Sequence, residues 1–330
     1  MAQMSQRLSA SLESLRPQGL VGSNPTLGAF VFVIEMAVEI ERYKKIYGEA
    51  FERKDAEENL RTVRVNTLKI PVAEMKKIFA EKNWHAEQIP FVDEGFWIKT
   101  ADNISKTVEH QLGYFFSQNS GSMVPPLVLD AKEHEVILDL AASPGSKTTQ
   151  LAAKMNNTGC IVANDIRHER LKALRGNLQR CGVMNAIVTK SFGEHFWKYG
   201  VKFGKILLDV PCTATGTFNP RIWQQTSESG IKILSGMQKK LLESAEKMLE
   251  REGVIVYSTC SLESEENEEN IDFAVRKLGL SVEEIKLRNV ETIAGVTEWN
   301  GRTLADEVAG SVRVVPSERM EGFFVCMLRK

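Results

Sequence analysis

Among its 330 residues the chain has only five cysteines, at positions 160, 181, 212, 260 and 326, and no two of them form a C-x-x-C pair. None stands with a histidine at zinc-ligand spacing, so finger and ribbon sites are excluded and no metal is expected. An odd count without a framework fits a reducing compartment rather than a disulfide scaffold. Surplus charge is also missing: 42 basic residues stand against 43 acidic ones, a net −1, so no global basic field advertises a nucleic-acid partner. Long apolar runs are absent too. The most apolar stretch, 29–40, is interrupted by Glu35 and Glu39, which makes it too short and too charged for a bilayer span. Met1 to Pro25 is Ser-rich and lacks the basic-then-apolar order of a signal peptide, so a cytoplasmic, membrane-free protein is expected. The G-x-G-x-x-G fingerprint of hydride-transfer folds is not present.

What is present is the composition of an ordinary globular protein, 43% apolar and 26% charged. Residues 1–24 read as a flexible leader. Val33, Met36, Ile40, Tyr43 and Tyr47 recur at helical spacing, and Arg61 to Asn66 alternates like a strand. Val72 to Lys82 follows as an amphipathic helix, then Phe96-Trp97-Ile98 as a strand, so residues 25–125 form a small α+β domain. From 126 to 330 the rhythm changes. Strand-like runs Val136–Leu140, Cys160–Asn164, Ala186–Thr189, Ile206–Asp209 and Val254–Tyr257 alternate with helices at Thr148–Met155, Arg167–Cys181, Ile233–Arg251 and Glu265–Lys277. Repeated β-α units predict an α/β domain with a parallel, doubly wound, Rossmann-like sheet.

Two cysteines stand at strand ends, in Asp209-Val210-Pro211-Cys212 and Tyr257-Ser258-Thr259-Cys260-Ser261. Strand carboxyl ends face the ligand crevice of an open α/β sheet, so both thiols are expected at one site, beside an acid. Cys160, Cys181 and Cys326 read instead as packing residues. His195, in an aromatic stretch with Phe192, Phe196 and Trp197, reads as packed, whereas His110, His134 and His168 read as surface residues. The run Glu263, Glu265, Glu266, Glu268, Glu269 opens a predicted helix, where negative charge suits the dipole. Arg167, Arg170, Lys172, Arg175 and Arg180 are spread around another helix, as either a solvated surface or an RNA track.

Upstream, Ile137-Leu138-Asp139-Leu140-Ala141-Ala142-Ser143-Pro144-Gly145-Ser146-Lys147-Thr148 is a strand, a small-residue turn and a helix start. Small residues allow close backbone approach, and a helix N-terminus favours partial negative charge. The turn is not a polyphosphate loop, because the two Walker glycines are here Ser146 and Ala141. Asp165 follows 20 residues after Gly145, where a doubly wound fold places a ribose-binding acid. Together these suit an adenosyl nucleoside.

Asp139…Ala142-Ser143-Pro144-Gly145-Ser146-Lys147-Thr148, Asn164-Asp165, Asp209-Val210-Pro211-Cys212 and Ser258-Thr259-Cys260-Ser261…Glu265-Glu266-Asn267 resemble, in order, the Fmu/Sun (NOL/NOP/Sun) family of RNA cytosine-5 methyltransferases. Arg64-Val65-Asn66-Thr67-Leu68-Lys69, Gln118 and Gly322-Phe323-Phe324 extend the resemblance from about residue 60 to the C-terminus. It implies S-adenosylmethionine over Ala141, Ala142, Ser143, Pro144, Gly145, Ser146 and Lys147, with Asp165 on the ribose and Arg170 nearby. It further implies Asp209 between methyl donor and base, Cys260 as the nucleophile toward cytosine C6, and Cys212 assisting release. An RNA-recognition-motif-like N-terminal domain, a monomer and a tRNA or rRNA substrate follow from the same likeness.

Two departures stand out. Ser146 replaces the family's second glycine, which narrows the turn's freedom, and Phe192 stands where an adenine-contacting acid is expected, so its ring is assigned to the purine. Lys147 is the nearest visible charge able to ionise a thiol. Other functions fit less well. A DNA cytosine-5 methyltransferase would use Cys212 and leave Cys260 idle; a non-catalytic RNA-binding assembly factor would not need both thiols and Asp209; a thiol hydrolase lacks a paired histidine.

Overall fold

The computed structural model describes residues 41–49, 51–52 and 55–330. The expected leader, 1–24, and the first part of the apolar helical stripe, up to Ile40, lie outside the described residues. The chain divides into two compact units, Met1–Glu52 and Arg53–Lys330. In the first, residues 41–47 are helical and Tyr47 stacks on Phe51 with ring centroids 5.0 Å apart.

The second unit begins with strand β1 (Leu60–Val65), helix α1 (Val72–Glu81), β2 (His85–Gln88), β3 (Gly95–Lys99), the short α2 (Val108–Gln111) and β4 (Phe115–Ser117). The four strands pair antiparallel in the order β2-β3-β1-β4. Val63, Val65, Phe96, Ile98 and Phe115 bury one face of this sheet against Met75 and Phe79 of α1.

Helix α3 (Val124–Leu129) leads into β5 (Val136–Asp139), α4 (Ser146–Lys154), β6 (Cys160–Asp165), α5 (His168–Cys181), β7 (Ala186–Lys190) and β8 (Phe203–Asp209). Next come α6 (Pro220–Gln225), α7 (Glu228–Met248), β9 (Leu249–Thr259) and α8 (Glu268–Leu278). Short strands β10 (Ser281–Glu283), β11 (Thr292–Ala294), β12 (Glu298–Trp299), β13 (Arg302–Thr303) and β14 (Val312–Val314) precede the long β15 (Phe323–Arg329). Strands β7-β6-β5-β8-β9 are parallel in that order, as expected for a doubly wound sheet. Beyond β9 the pairing becomes antiparallel, through β15 to β14 and β11, with β10 on the other end of β15.

Alternate residues of each strand bury into opposite helical layers, as the two-residue period requires. Leu138, Leu140, Ile206, Leu208 and Ile255 pack with Leu241, Leu242, Ala245 and Met248 of α7 and with Ile271 and Ala274 of α8. Ile137, Leu207, Val254 and Val256 face Val124 and Leu129 of α3 and Leu151 and Ala152 of α4. The strand order reverses between β5 and β8. That switch point opens a crevice at the carboxyl ends, where Asp139 and Asp209 stand.

The smaller sheet is pinned beside this crevice by polar side chains. Arg64 of β1 donates to Thr149 Oγ1 at 2.8 Å, Asn66 to the Cys181 carbonyl at 2.8 Å, and Gln118 to Gln150 Oε1 at 3.0 Å. Arg180 answers from α5, donating to the His110 carbonyl at 2.7 Å, with its guanidinium 5.4 Å from the Phe116 ring centre. Among the described residues, no helix is long and apolar enough to cross a membrane.

Candidate functional site

The turn after β5 departs from the helical backbone at Gly145, whose φ of +102° suits a residue without Cβ. A Cβ there would also come within 2.9 Å of Leu174 Cδ1. Ser146 already belongs to α4, so the position that needs glycine is the one that has it, and the serine is accommodated as a helical residue. The turn is tied to its surroundings from both sides. Ser143 Oγ donates to the Arg170 carbonyl and Arg170 returns a hydrogen bond to the Ser143 carbonyl, both at 2.6 Å. Thr148 Oγ1 donates to Asp139 Oδ2 at 2.7 Å, and burial pushes the Asp139 carboxyl up to about 7, against that hydrogen bond.

At the end of β6, Asn164 donates to the carbonyls of Leu140 and Ser191, each at 3.1 Å, stitching three strand ends together. Asp165 is buried; its Oδ1 accepts from the Arg167 amide at 3.1 Å and its Oδ2 lies 3.4 Å from Arg170 Nε. Past β7, Phe192 presents a ring that is 56% exposed. A backbone cradle without a Cβ, a fixed acid and an accessible ring are the parts that an adenosyl ligand requires.

The two cysteines meet. Their Sγ atoms lie 3.3 Å apart, Cys212 just beyond β8 and Cys260 just beyond β9. Hydrogen bonding to Cys260, followed by burial and by the charges of Cys260 and Glu266, pushes the Cys212 thiol well above the usual range. Either thiol can be the donor across this contact, and its surroundings favour the protonated form of Cys212. The loop after Cys212 is held against Cys260 at Gly216, whose amide donates to the Cys260 carbonyl at 2.9 Å. A Cβ on Gly216 would lie 2.2 Å from the Gly322 carbonyl oxygen.

Asp209 sits between two donors. Lys147 Nζ is 2.7 Å from its Oδ2 and Ser258 Oγ donates to Oδ1 at 2.8 Å. Lys147 is 7% exposed, also donates to Ser122 Oγ at 2.9 Å, and lies 5.4 Å from the Phe323 ring centre. The charge expected to polarise a thiol is thus placed on the carboxylate of Asp209.

Behind the thiols lies a platform of buried polar side chains. Glu266 accepts from the Thr213 amide and hydroxyl, from Ser261 Oγ and from Gln238 Nε2. Arg313 of β14 and Glu268, both fully buried, pair through two hydrogen bonds, and Arg313 also donates to the Leu262 carbonyl and Ser264 Oγ at 3.0 Å each. Ser122, Ser258, Glu266 and Arg313 carry no expected site role from the sequence. For Ser258 and Glu266 the signal was their place in the family-like segment Ser258-Thr259-Cys260-Ser261…Glu265-Glu266-Asn267.

Several expectations need correction. The acidic run opens α8 as expected, with Glu268 and Glu269 in its first turn, but Glu266 and Glu268 are also buried on specific partners. His195 and Trp197 are exposed and Phe196 alone of that stretch is buried, because the segment runs along the surface of α7. His110 is half-buried against Phe115, at 5.6 Å between ring centres. Cys160, at the first position of β6, is only half-buried, whereas Cys181 and Cys326 are buried as expected. Among the described residues, no group of three or more His, Cys, Asp or Glu side chains could hold a metal ion.

Comparison with known proteins places this geometry in a family. A family model described as 16S rRNA methyltransferase RsmB/F matches residues 126–329, and one for the N-terminal domain of 16S rRNA methyltransferase RsmF matches residues 38–120. The tRNA (cytosine(49)-C(5))-methyltransferase of Pyrococcus abyssi is 42% identical over 274 residues, covering 82% of this chain and 88% of that protein. Ribosomal RNA small subunit methyltransferase F of Aliivibrio fischeri is 39% identical over 280 residues, again 82% of this chain but 58% of the relative. A crystal structure of a methyltransferase homologue from Pyrococcus horikoshii superposes with a TM-score of 0.76 at 35% identity, over 88% of this chain and 93% of that one. NSun6 from the same organism, crystallised with SFG, gives 0.75 at 26% identity, over 88% and 97%. With more than half of its length matched by one family model, the chain belongs to the RsmB/F methyltransferase family.

Proposed function

We propose that this protein is an RNA (cytosine-5-)-methyltransferase acting on tRNA or rRNA through a covalent Cys260–cytosine adduct. The observation that carries this reading is the pair of thiols 3.3 Å apart, next to an acid gripped by Lys147 and Ser258. Supporting this substrate class, the relatives are named for tRNA and for small-subunit rRNA.

Cytosine C5 is a poor nucleophile. Addition of the Cys260 thiolate to C6 turns C5 into an enamine carbon. Asp209 holds the amino and N3 edge of the base, and Lys147 sets its ammonium beside that edge, offsetting the charge that builds on the ring. S-adenosylmethionine would be held by the segment Ala141–Lys147 and would supply an electrophilic methyl group. For this ligand, Asp165 would take the ribose hydroxyls, Arg170 fixes the turn, and the Phe192 ring would pack on the purine. Once Cys260 is tied to C6, its thiol hydrogen bond with Cys212 is lost. The main cause holding Cys212 protonated is then gone, so Cys212 can ionise and take the C5 proton, directly or through water. Loss of that proton expels Cys260 and frees the methylated base. The base must leave any stack to reach both thiols, and the smaller sheet and the loops at 213–231 and 288–312 hold the flanking RNA. The protein acts as a monomer in the cytoplasm and uses no metal.

Methyl transfer from labelled S-adenosylmethionine to total tRNA, rRNA and duplex DNA, with nucleoside analysis of the product, tests the assignment. 5-Methylcytidine in RNA is expected. Label in duplex DNA alone would promote the Cys212 scheme, and no calorimetric binding of S-adenosylmethionine at millimolar ligand would favour a non-catalytic assembly factor.

A further inference from the structure

Glu266 is fully buried, yet its described partners are all neutral. A buried carboxylate is costly unless hydrogen bonds replace its water. Here the Thr213 amide at 3.1 Å and Gln238 Nε2 at 2.7 Å reach Oε2, while Ser261 Oγ at 2.7 Å and the Thr213 hydroxyl reach Oε1. Four donors on two oxygens is what an ionised carboxylate, an acceptor-only group, can satisfy.

The identity of those donors carries the inference. Thr213 directly follows Cys212, and Ser261 directly follows Cys260. Gln238 also donates to the carbonyl of Pro211, the residue before Cys212, at 2.9 Å. The two hydroxyls lie 2.8 Å from each other. The Glu266 backbone is itself immobilised, its carbonyl accepting from Tyr257 Oη and from Asn270 Nδ2 at 2.9 Å. One carboxylate therefore spans two turns that come from different strands, 48 residues apart.

We infer that Glu266 is a positioning residue that ties the two cysteine-bearing turns into one rigid unit and sets the separation and relative protonation of Cys212 and Cys260. This rests on the two-cysteine reading above, but it can be tested without RNA. The ionisable groups facing Cys212 are Cys260 after β9, Glu266 before α8 and Tyr257 within β9, with the Asp209–Lys147 pair at the end of β8. Of these, Glu266 is the fixed negative charge, and it favours the protonated Cys212 thiol.

Glu266→Gln removes that charge and can keep the contacts. The amide oxygen faces Thr213 N and Gln238, and the amide NH2 faces the two hydroxyls, which can turn to accept. Glu266→Asp keeps the charge but is too short to reach both turns at once. Iodoacetamide alkylation, resolved by peptide mass spectrometry across pH, reads each thiol directly. The expected result is a lower midpoint for Cys212 in both variants, in Glu266→Gln because the charge is gone and in Glu266→Asp because the turns part and the Cys260 hydrogen bond weakens. Turnover should fall by about tenfold to a hundredfold in Glu266→Asp, whose turns are displaced on the ångström scale, and by less in Glu266→Gln, which keeps the contacts, with the KM for RNA unchanged in both. An alkylation profile in Glu266→Gln that superimposes on the parent overturns the inference, as does loss of S-adenosylmethionine binding with no shift in that profile. If the parent methylates no RNA while the midpoint still shifts, the assignment of function fails and the role of Glu266 stands.

Discussion

Replacing Arg313 by Met is expected to be among the most damaging single changes behind the site. Arg313 and Glu268 are both fully buried and form a two-pronged pair, and Arg313 also satisfies the Leu262 carbonyl and Ser264 Oγ. Forming such a pair gains little net stability, because two charges leave water. Removing one partner is different, since it strands the other charge in the interior, at a cost of about 3–5 kcal/mol. With a urea slope of about 3 kcal/mol/M, the midpoint should drop by about 1–1.7 M. The double change Arg313→Met with Glu268→Leu removes the stranded charge. It leaves only neutral orphans, among them the Val296 amide that Glu268 accepts at 3.2 Å, and so should recover most but not all of the loss. Urea unfolding followed by far-UV circular dichroism checks all three proteins. A single variant with the parental midpoint, or a double variant less stable than the single, would refute this view of the pair.

Three further outcomes follow from the site. Lys147→Met leaves Asp209 with Ser258 as its hydroxyl donor and should lower turnover by about a hundredfold or more while the fold persists, measured as kcat against thermal melting. Gly145→Ala forces a left-handed residue with its Cβ 2.9 Å from Leu174 Cδ1, costing about 1–2 kcal/mol; calorimetry should show weakened S-adenosylmethionine binding and melting a lower Tm. Asp139 is raised by burial from 3.8 to about 7, so the folded state binds a proton that the unfolded state releases, and this contribution to stability is present below pH 4 and lost as pH rises toward 7. Asp139→Asn keeps an acceptor for Thr148 and should flatten that part of the stability–pH curve, gaining up to about 4 kcal/mol over the parent near pH 8; an unchanged slope in urea titrations would contradict it.

The parallel half of the sheet was legible because its strands are apolar runs such as Ile206-Leu207-Leu208, bounded by turns and buried on both faces. The antiparallel half was not. Val312–Val314 and Thr292–Ala294 are three residues long, too short for any period, and in the smaller sheet His85–Gln88 is a strand with every residue exposed. Helix α7 starts at Glu228 rather than near Ile233 because Ser227 Oγ caps the Gly230 amide. It ends at Met248, not Arg251, because Leu249 pairs with Phe203. At the site, Asp209, Cys212 and Cys260 could be singled out from strand-end positions, and the division of labour between the thiols came from family likeness. The partners of Lys147, Glu266 and Glu268 could not be foreseen. Their contacts cross 62, 53 and 45 residues, and a run of five nearby acids looks alike locally whether it faces water or the core.

The most direct measurement is to trap the enzyme–RNA adduct and map it to one cysteine. Incubated with RNA and S-adenosylmethionine, Cys212→Ala should accumulate a denaturation-resistant complex whose tryptic peptide carries cytidine on Cys260, and Cys260→Ala should give neither adduct nor 5-methylcytidine. A trapped adduct on Cys212 in the Cys260→Ala protein would contradict the assignment.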